Sequence, residues 1–249
     1  MVATMDELSP IDLAFRENRL LAALAEDDRP MLLAEGTLIE LHPGDIVLSR
    51  GESVQSSVFP IGKTMISMAA VLTGDRTVEV ASVGSEGAVG GIVSCGSVSA
   101  FSRASVLIGG PALRVPMKAL EAAKRESAFV GNLFCRYSDY LLSQVMQSVA
   151  CNSFHSVQQR AARWLLHAQD RAGSRIELTQ EALADMLGVQ RTSVNAVIQS
   201  LVASGAIATG RGVIRVNDRS VLLAQSCECY RRVEDHFHET IRASGGAEI

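Results

Sequence analysis

The 249-residue chain has no Cys-x-x-Cys pair, no long apolar run and no excess of basic charge. Its five cysteines, Cys95, Cys135, Cys151, Cys227 and Cys229, are odd in number and irregularly spaced, which argues against a structural disulfide framework. Cys227 and Cys229 form a Cys-x-Cys pair with His236 and His238 nearby, but that spacing matches no common zinc ligand set, so no metal site is expected. The first ten residues, MVATMDELSP, are acidic and lack the basic-then-apolar order of a signal peptide. The charge-free stretch at residues 87–102 is rich in Gly and Ser and broken by polar residues, so it cannot span a bilayer. A cytoplasmic protein without membrane contact is expected. Histidine is scarce too: His42 is the only one before residue 127, which removes the clustered ligands that a cupin-type metalloenzyme needs. No nucleophile–base constellation stands out, and no catalytic activity is expected.

What is present is a globular composition, 47 % hydrophobic and 20 % charged, with ample material for a core. The net charge of −4 hides an asymmetry. Residues 152–219 carry eight arginines and five acids, while the segments before and after are acidic. A basic segment between acidic ones suits phosphate contact by one module.

The pattern changes three times along the chain. Residues 18–25 and 30–34 read as short helices. From residue 37 to residue 115, short alternating apolar runs are separated by turns such as His42-Pro43-Gly44-Asp45, which suggests about eight strands in an antiparallel barrel or jelly roll. After Pro116 the turn residues stop: residues 117–124 read as a short helix and 127–153 as a long one. Val130, Phe134, Tyr137, Leu141, Val145 and Val149 make an apolar stripe along it, widened by Phe129, Leu133, Tyr140, Leu142 and Met146. Such a helix must be covered on two sides, by the barrel and by a partner subunit, and the stripe is the expected dimer interface.

The segment QEALADMLGVQRTSVNAVI, residues 180–198, reads as helix, tight turn, helix. Ala184 permits close helix approach, Gly188 sits where the chain reverses, and Val194 faces inward with Val197, Ile198 and Leu201. That is a helix-turn-helix, whose second helix enters the major groove. Thr179 is placed as the N-cap of the first helix. Two short strands, residues 206–209 and 213–216, flank Gly210-Arg211-Gly212 and form a wing with Arg211 at its tip. The DNA-contacting set is Gln190, Arg191, Thr192, Ser193, Asn195, Gln199 and Arg211; Arg suits guanine O6/N7, and Asn or Gln suits adenine N6/N7.

Barrel, long helix and winged helix-turn-helix, in that order, resemble the superfamily of bacterial cyclic-AMP receptor and fumarate/nitrate regulators. The resemblance covers residues 15–223 and is sharpest at LTQEALADMLGVQRTSVNAVIQSLVASGAI, then at HPGD, VGSEGAVG and SRA. It implies an α+β fold: an effector-sensing antiparallel jelly roll of the cyclic-nucleotide-binding type (15–126), a dimerisation helix (127–154), a winged helix-turn-helix (155–223) and a helical tail (224–249). It implies a homodimeric transcription regulator that binds an inverted-repeat operator in double-stranded DNA, with RNA polymerase as a further partner. Arg191 matches the family's first base-reading Arg, whereas Thr192 stands in place of a typical Glu and Ala196 in place of a second Arg, so the operator should differ.

The effector pocket is where this chain departs from the family. Members that bind cyclic nucleotides hold the ribose with Gly-Glu and the phosphate with Arg-Ser. Here Gly84 is followed by Ser85, Glu86 comes one place late, and Arg103 is followed by Ala104. One step along a strand turns a side chain to the other face. The cofactor or effector therefore stays open between a cyclic nucleotide at these five residues, a haem on His42 or His155, a redox thiol at Cys151, and none. A module whose winged helix contacts protein in place of DNA is the competing function.

Overall fold

A computed structural model describes residues 10–74, 76–92 and 98–242; Cys95, the terminal residues 1–9 and 243–249, and the rest of 93–97 lie outside this range. The chain enters through α1 (Pro10–Glu17), α2 (Arg19–Ala22), a 3-10 turn (Glu26–Asp28) and α3 (Arg29–Leu33). Asn18, read from the sequence as helical, is instead the N-cap of α2. Its Oδ1 accepts from the Leu20 and Leu21 amides at 3.1 and 3.0 Å. Its Nδ2 donates to the carbonyls of Pro60 and Gly87 at 2.9 and 2.8 Å. A fully buried amide with every group partnered stitches the entry helices to the barrel rather than destabilising it.

Seven strands follow among the described residues, one fewer than the spacing suggests: β1 (Thr37–Leu41), β2 (Ile46–Leu48), β3 (Ser56–Pro60), β4 (Met65–Val71), β5 (Thr77–Val83), β6 (Arg103–Ile108) and β7 (Gly110–Pro116). They pair antiparallel in two sheets, ordered β1-β7-β3 and β2-β6-β4-β5, the double-sheet arrangement of a jelly roll. The β1–β2 turn closes as its sequence requires: the His42 amide donates to Asp45 Oδ2 at 2.8 Å, and Gly44 takes φ 92°. Phe59 lies opposite Leu113 in the β3–β7 register, both fully buried, with Ile66, Val83 and Val106 in the same core.

α4 (Met117–Glu126) leads into α5 (Ala128–Phe154), whose 27 residues span about 40 Å. Ser127 caps α5 by accepting from the Val130 amide. Four of the six residues of the expected dimer stripe face the interior of the chain. Val130, Phe134, Tyr137 and Leu141 are buried within the chain, packed with the barrel core. Alternating steps of four, three and four residues keep these four on the helix face that meets the sheets, whereas the successive steps of four to Val145 and Val149 turn those two away from it. The apolar face left exposed is Leu142, Met146 and Val149, at 55, 63 and 63 %; Val145 is half-buried between the two faces.

A second cover comes from the tail. α10 (Cys229–Arg242) runs antiparallel along α5, with Cys229 beside Gln147 and His236 beside Asp139. Tyr140 and Phe237 meet edge-on at 4.9 Å, and the Arg19 guanidinium lies 4.1 Å from the Phe237 ring centre. The amphipathic tail is thus an integral layer of the fold.

The C-terminal unit opens with α6 (Val157–Ala172), fixed by a reciprocal capping box between Ser156 and Gln159. After Gly173 come β8 (Arg175–Glu177), α7 (Gln180–Leu187), α8 (Arg191–Ala203), β9 (Ile207–Gly210), β10 (Val213–Val216) and α9 (Arg219–Ala224). The small sheet has the order β8-β10-β9. Trp164, Leu165, Leu183, Val194, Ile198, Leu201 and Ile214 form its core, joined by Met65 from the barrel.

Candidate nucleic-acid interface and effector region

The helix-turn-helix is built by local chemistry. Thr179 caps α7, its hydroxyl accepting from the Ala182 amide at 3.1 Å. Gly188 ends α7 at φ 63°, a left-handed conformation that costs a side chain and suits glycine, and the chain turns into α8. Val194, Val197, Ile198 and Leu201 are buried, so the opposite face of α8 is outward. Gln190, Arg191, Thr192, Ser193 and Gln199 are all exposed on it, and Arg211 is exposed on the β9–β10 turn. Asn195 is half-buried, with its Oδ1 lacking a protein partner. The Gln190 side chain does not cap α8, so the first turn of the helix lacks a side-chain acceptor there. A notch of about 290 Å³ is shared by Thr179, Gln180, Arg191, Gly210 and Gly212, so the start of the recognition helix and the wing border one surface.

Among the described residues, none of the expected effector residues lines the larger cavities. Glu86 is buried and reaches across to α6, where Arg171 Nη2 donates to its Oε1 at 2.5 Å and Arg171 Nε lies 3.2 Å from both oxygens. Burial opposes the charge of Glu86, and the Arg171 guanidinium outweighs it, so its carboxyl sits below the usual range. Gly84 donates its amide to Glu86 Oε1 at 3.1 Å, and a Cβ there would stand 2.6 Å from Arg171. Ser85 accepts from the Arg19 amide through its carbonyl at 2.6 Å. At Gly87 a Cβ would fall 1.9 Å from Tyr137 Oη, which donates to the Ala88 carbonyl at 3.0 Å and accepts from the Ala88 amide at 2.9 Å. The VGSEG segment is therefore a clasp that fastens the entry helices, α5 and α6 to the barrel. Arg103 opens β6 opposite Ala69, and Ala104 is fully buried.

A smaller, apolar cavity of the barrel lies apart from these residues, and a larger hollow of about 590 Å³ beside the β1–β2 turn is lined by His42, Lys63 and Glu177 among others. The apolar one, of about 260 Å³ and open to the surface, is lined by Leu48, Val54, Met68, Val89, Ile92 and Leu141 together with the 98–102 segment, with no charged residue among the described lining. His42 and His155 are both outside it. His42 is exposed, 3.6 Å from Asp45, so burial does not favour a haem ligand there. His155 Nδ1 instead lies 3.5 Å from Cys229 Sγ, and Cys151 Sγ lies 3.6 Å from Cys227 Sγ. His236 and His238, the neighbours in sequence, pair with Asp139 and Glu234. The sequence signal for the true grouping was the i,i+4 spacing of Cys151 and His155, which places both on one face at the end of α5.

The two units also touch directly. Trp164 Nε1 donates to Glu79 Oε1 at 3.0 Å, and a Cβ on Gly188 would meet Val78 Cγ2 at 3.2 Å. The turn of the helix-turn-helix thus rests on β5, beside an 850 Å³ concavity that Arg76, Asn152, Arg160 and Gln190 help to line.

A jelly roll joined by a long helix to a winged helix-turn-helix with an exposed polar recognition face is the architecture of a DNA-binding transcription regulator. Residues 159–225 match the family model of the Crp-like helix-turn-helix domain. The chain is similar in structure to FixK2 from Bradyrhizobium japonicum, at TM-score 0.66 and 16 % identity, covering 77 % of this chain and 98 % of that one. It is similar to the c-di-GMP responsive global regulator CLP of Xanthomonas campestris, at TM-score 0.62 and 14 % identity, covering 78 % and 100 %. It is also similar to a CRP-family transcriptional regulator of Thermus thermophilus, TTHB099, at TM-score 0.62 and 17 % identity, covering 76 % and 96 %. No curated protein matches the chain in sequence. The chain thus carries a Crp-like helix-turn-helix domain at residues 159–225, and over most of its length its fold is similar to that of these regulators.

Proposed function

We propose that this protein is a homodimeric, sequence-specific regulator of transcription, gated by a signal received in the 15–126 barrel and relayed through α5 to a DNA-binding unit at 155–223. The observation that carries the reading is the exposed face of Gln190, Arg191, Thr192, Ser193 and Gln199 bordering the wing that bears Arg211. Arg191 is the residue assigned to a guanine, Asn195 and Gln199 to adenines, and Arg211 to phosphate. The exposed Leu142, Met146 and Val149 supply the dimer face, which replaces the buried residues of the expected stripe. Two such units bind half-sites about 34 Å apart, as an inverted repeat.

The apolar cavity supports a small, largely uncharged effector in preference to a cyclic nucleotide, whose phosphate would need a cation there. Glu86, which would have held the ribose, is engaged by Arg171.

Genome-wide footprinting of the tagged protein, followed by mobility shift of the recovered operator, tests this reading. Arg191→Ala is expected to cost about 1–3 kcal/mol of specific affinity and to relax one position of the site, while Arg211→Ala weakens all sequences alike. Unchanged affinity for the recovered operator removes Arg191 from the readout. Failure to bind any promoter under any effector condition favours the protein-contact reading.

A further inference from the structure

Four side chains that the DNA-binding reading does not use converge at the hinge between α5 and α6. Cys151 lies in the last turn of α5 and His155 is its C-cap, while Cys227 and Cys229 come from the link into α10. Their three sulfurs and one ring nitrogen all lie within 4.8 Å of one another. Cys151, Cys227 and Cys229 are at most 4 % exposed and form a small buried cluster of their own, apart from both aliphatic cores. The thiols are free, and the Cys151 and Cys227 sulfurs lie 3.6 Å apart.

We propose that these residues bind one tetrahedral zinc(II) ion through three thiolates and the His155 Nδ1. Zinc–sulfur bonds of about 2.3 Å and zinc–nitrogen bonds of about 2.0 Å set ligand–ligand edges of roughly 3.4–3.8 Å in a tetrahedron. The 3.6 Å between Cys151 and Cys227 sulfurs and the 3.5 Å between Cys229 Sγ and His155 Nδ1 match those edges. An iron–sulfur cluster interposes its own sulfides and holds its ligands farther apart. Three soft thiolates and an imidazole favour zinc over harder divalent ions.

The surroundings independently suit a metal. His155 Nε2 lies 3.3 Å from the carboxylate of Glu228, the residue between the two tail cysteines. A carboxylate on the far nitrogen fixes the tautomer that leaves Nδ1 unprotonated and facing the sulfurs. Gln147 Nε2 donates to Cys229 Sγ at 2.9 Å, a bond that relieves charge on a ligating thiolate. Three thiolates and a neutral imidazole leave the zinc complex with one negative charge, and Arg160 and Arg163 lie close enough to act on the thiols electrostatically. All four tetrahedral positions are filled by protein, the mark of a structural site rather than a catalytic one.

The ion would pin three things at one point: the end of the long helix, the hinge that orients the DNA-binding unit, and the tail helix that covers α5. The expectation that Cys227 and Cys229 lack a metal partner rested on His236 and His238, which are neighbours in sequence but point to Asp139 and Glu234. The remaining ligands come from far upstream, Cys151 standing 76 residues before Cys227 and His155 standing 74 before Cys229.

Elemental analysis of the full chain, purified without chelator, should find one zinc per chain. Cobalt(II) added to the chelator-stripped chain should give the intense ligand-field bands of a tetrahedral site and a thiolate charge-transfer band scaled to three sulfurs. Cys227→Ser with Cys229→Ser should abolish both signals. Cys135→Ser, on an exposed thiol outside the cluster, should leave them intact, and Glu228→Gln should weaken zinc binding about 10–100-fold. The cobalt spectrum of the unsubstituted chain answers the question even if the double variant does not fold. Absence of both zinc and the cobalt charge-transfer band, full metal content in the double variant, or a Cys151–Cys227 disulfide in place of metal each overturns the proposal.

Discussion

Removing either partner of the Glu86–Arg171 pair should destabilise the protein far more than removing both. The two side chains are 8 and 10 % exposed and bridge the barrel to α6. Breaking a buried pair leaves one charge without compensation at about 3–5 kcal/mol, whereas replacing both partners is often close to neutral. Arg171→Met keeps the stem that packs against Gly84 and strands the carboxylate. Glu86→Gln keeps an acceptor for the Gly84 amide and strands the guanidinium. Each single change should lower stability by about 3 kcal/mol or more, a fall in Tm of roughly 6–12 °C for a chain of this size. The double substitution should recover most of that, giving a coupling energy above about 2 kcal/mol in the cycle. Urea unfolding followed by fluorescence is well suited, because Trp164 is the only tryptophan and its indole bonds across the same interface to Glu79. The pH dependence has a definite sign. Glu86 has a depressed folded pKa, so its contribution is present above the unfolded carboxylate value, about 4.3, and is lost as pH falls through the folded value. Glu86→Gln should flatten that acid limb. Additive single effects, with coupling below about 0.5 kcal/mol, would refute the clasp.

Gly87→Ala places a methyl 1.9 Å from a hydroxyl that cannot withdraw without losing both bonds to Ala88, and should cost about 3 kcal/mol by chemical denaturation; wild-type stability would show that Tyr137 is free to move. Met146→Asp puts a charge on the exposed apolar face of α5 while disturbing no buried contact. Sedimentation should then report a monomer where the unsubstituted chain is a dimer, and an intact dimer would place the interface elsewhere.

The features legible in the sequence are those encoded over a few residues. Gly188, Thr179 and the Val194-Val197-Ile198-Leu201 periodicity specify a cap, a left-handed turn and one buried helix face, and the helix-turn-helix follows from them. The β1–β2 turn and the wing are equally local in origin, since the Asp45 carboxylate accepts from the His42 amide and Gly44 and Gly212 supply the positive φ of their turns. The length of α5 was readable from the absence of turn residues after Pro116.

Which side of a two-sided helix faces a partner is another matter. The stripe on α5 carries no mark that separates barrel contact from subunit contact, and burial assigned Phe134 and Tyr137 inward and Met146 outward. Glu86 looked like a misplaced ligand because its partner, Arg171, lies 85 residues away on a helix that reads as an ordinary amphipathic element. Cys151 and His155 likewise meet Cys227 and Cys229 through the packing of α10 along α5. Caps, turns and periodicity are written in neighbouring residues because the forces behind them act over one or two helical turns. Charge pairing and metal-type clusters depend on which surfaces come together, and that is settled when the barrel, the long helix and the tail close on one another.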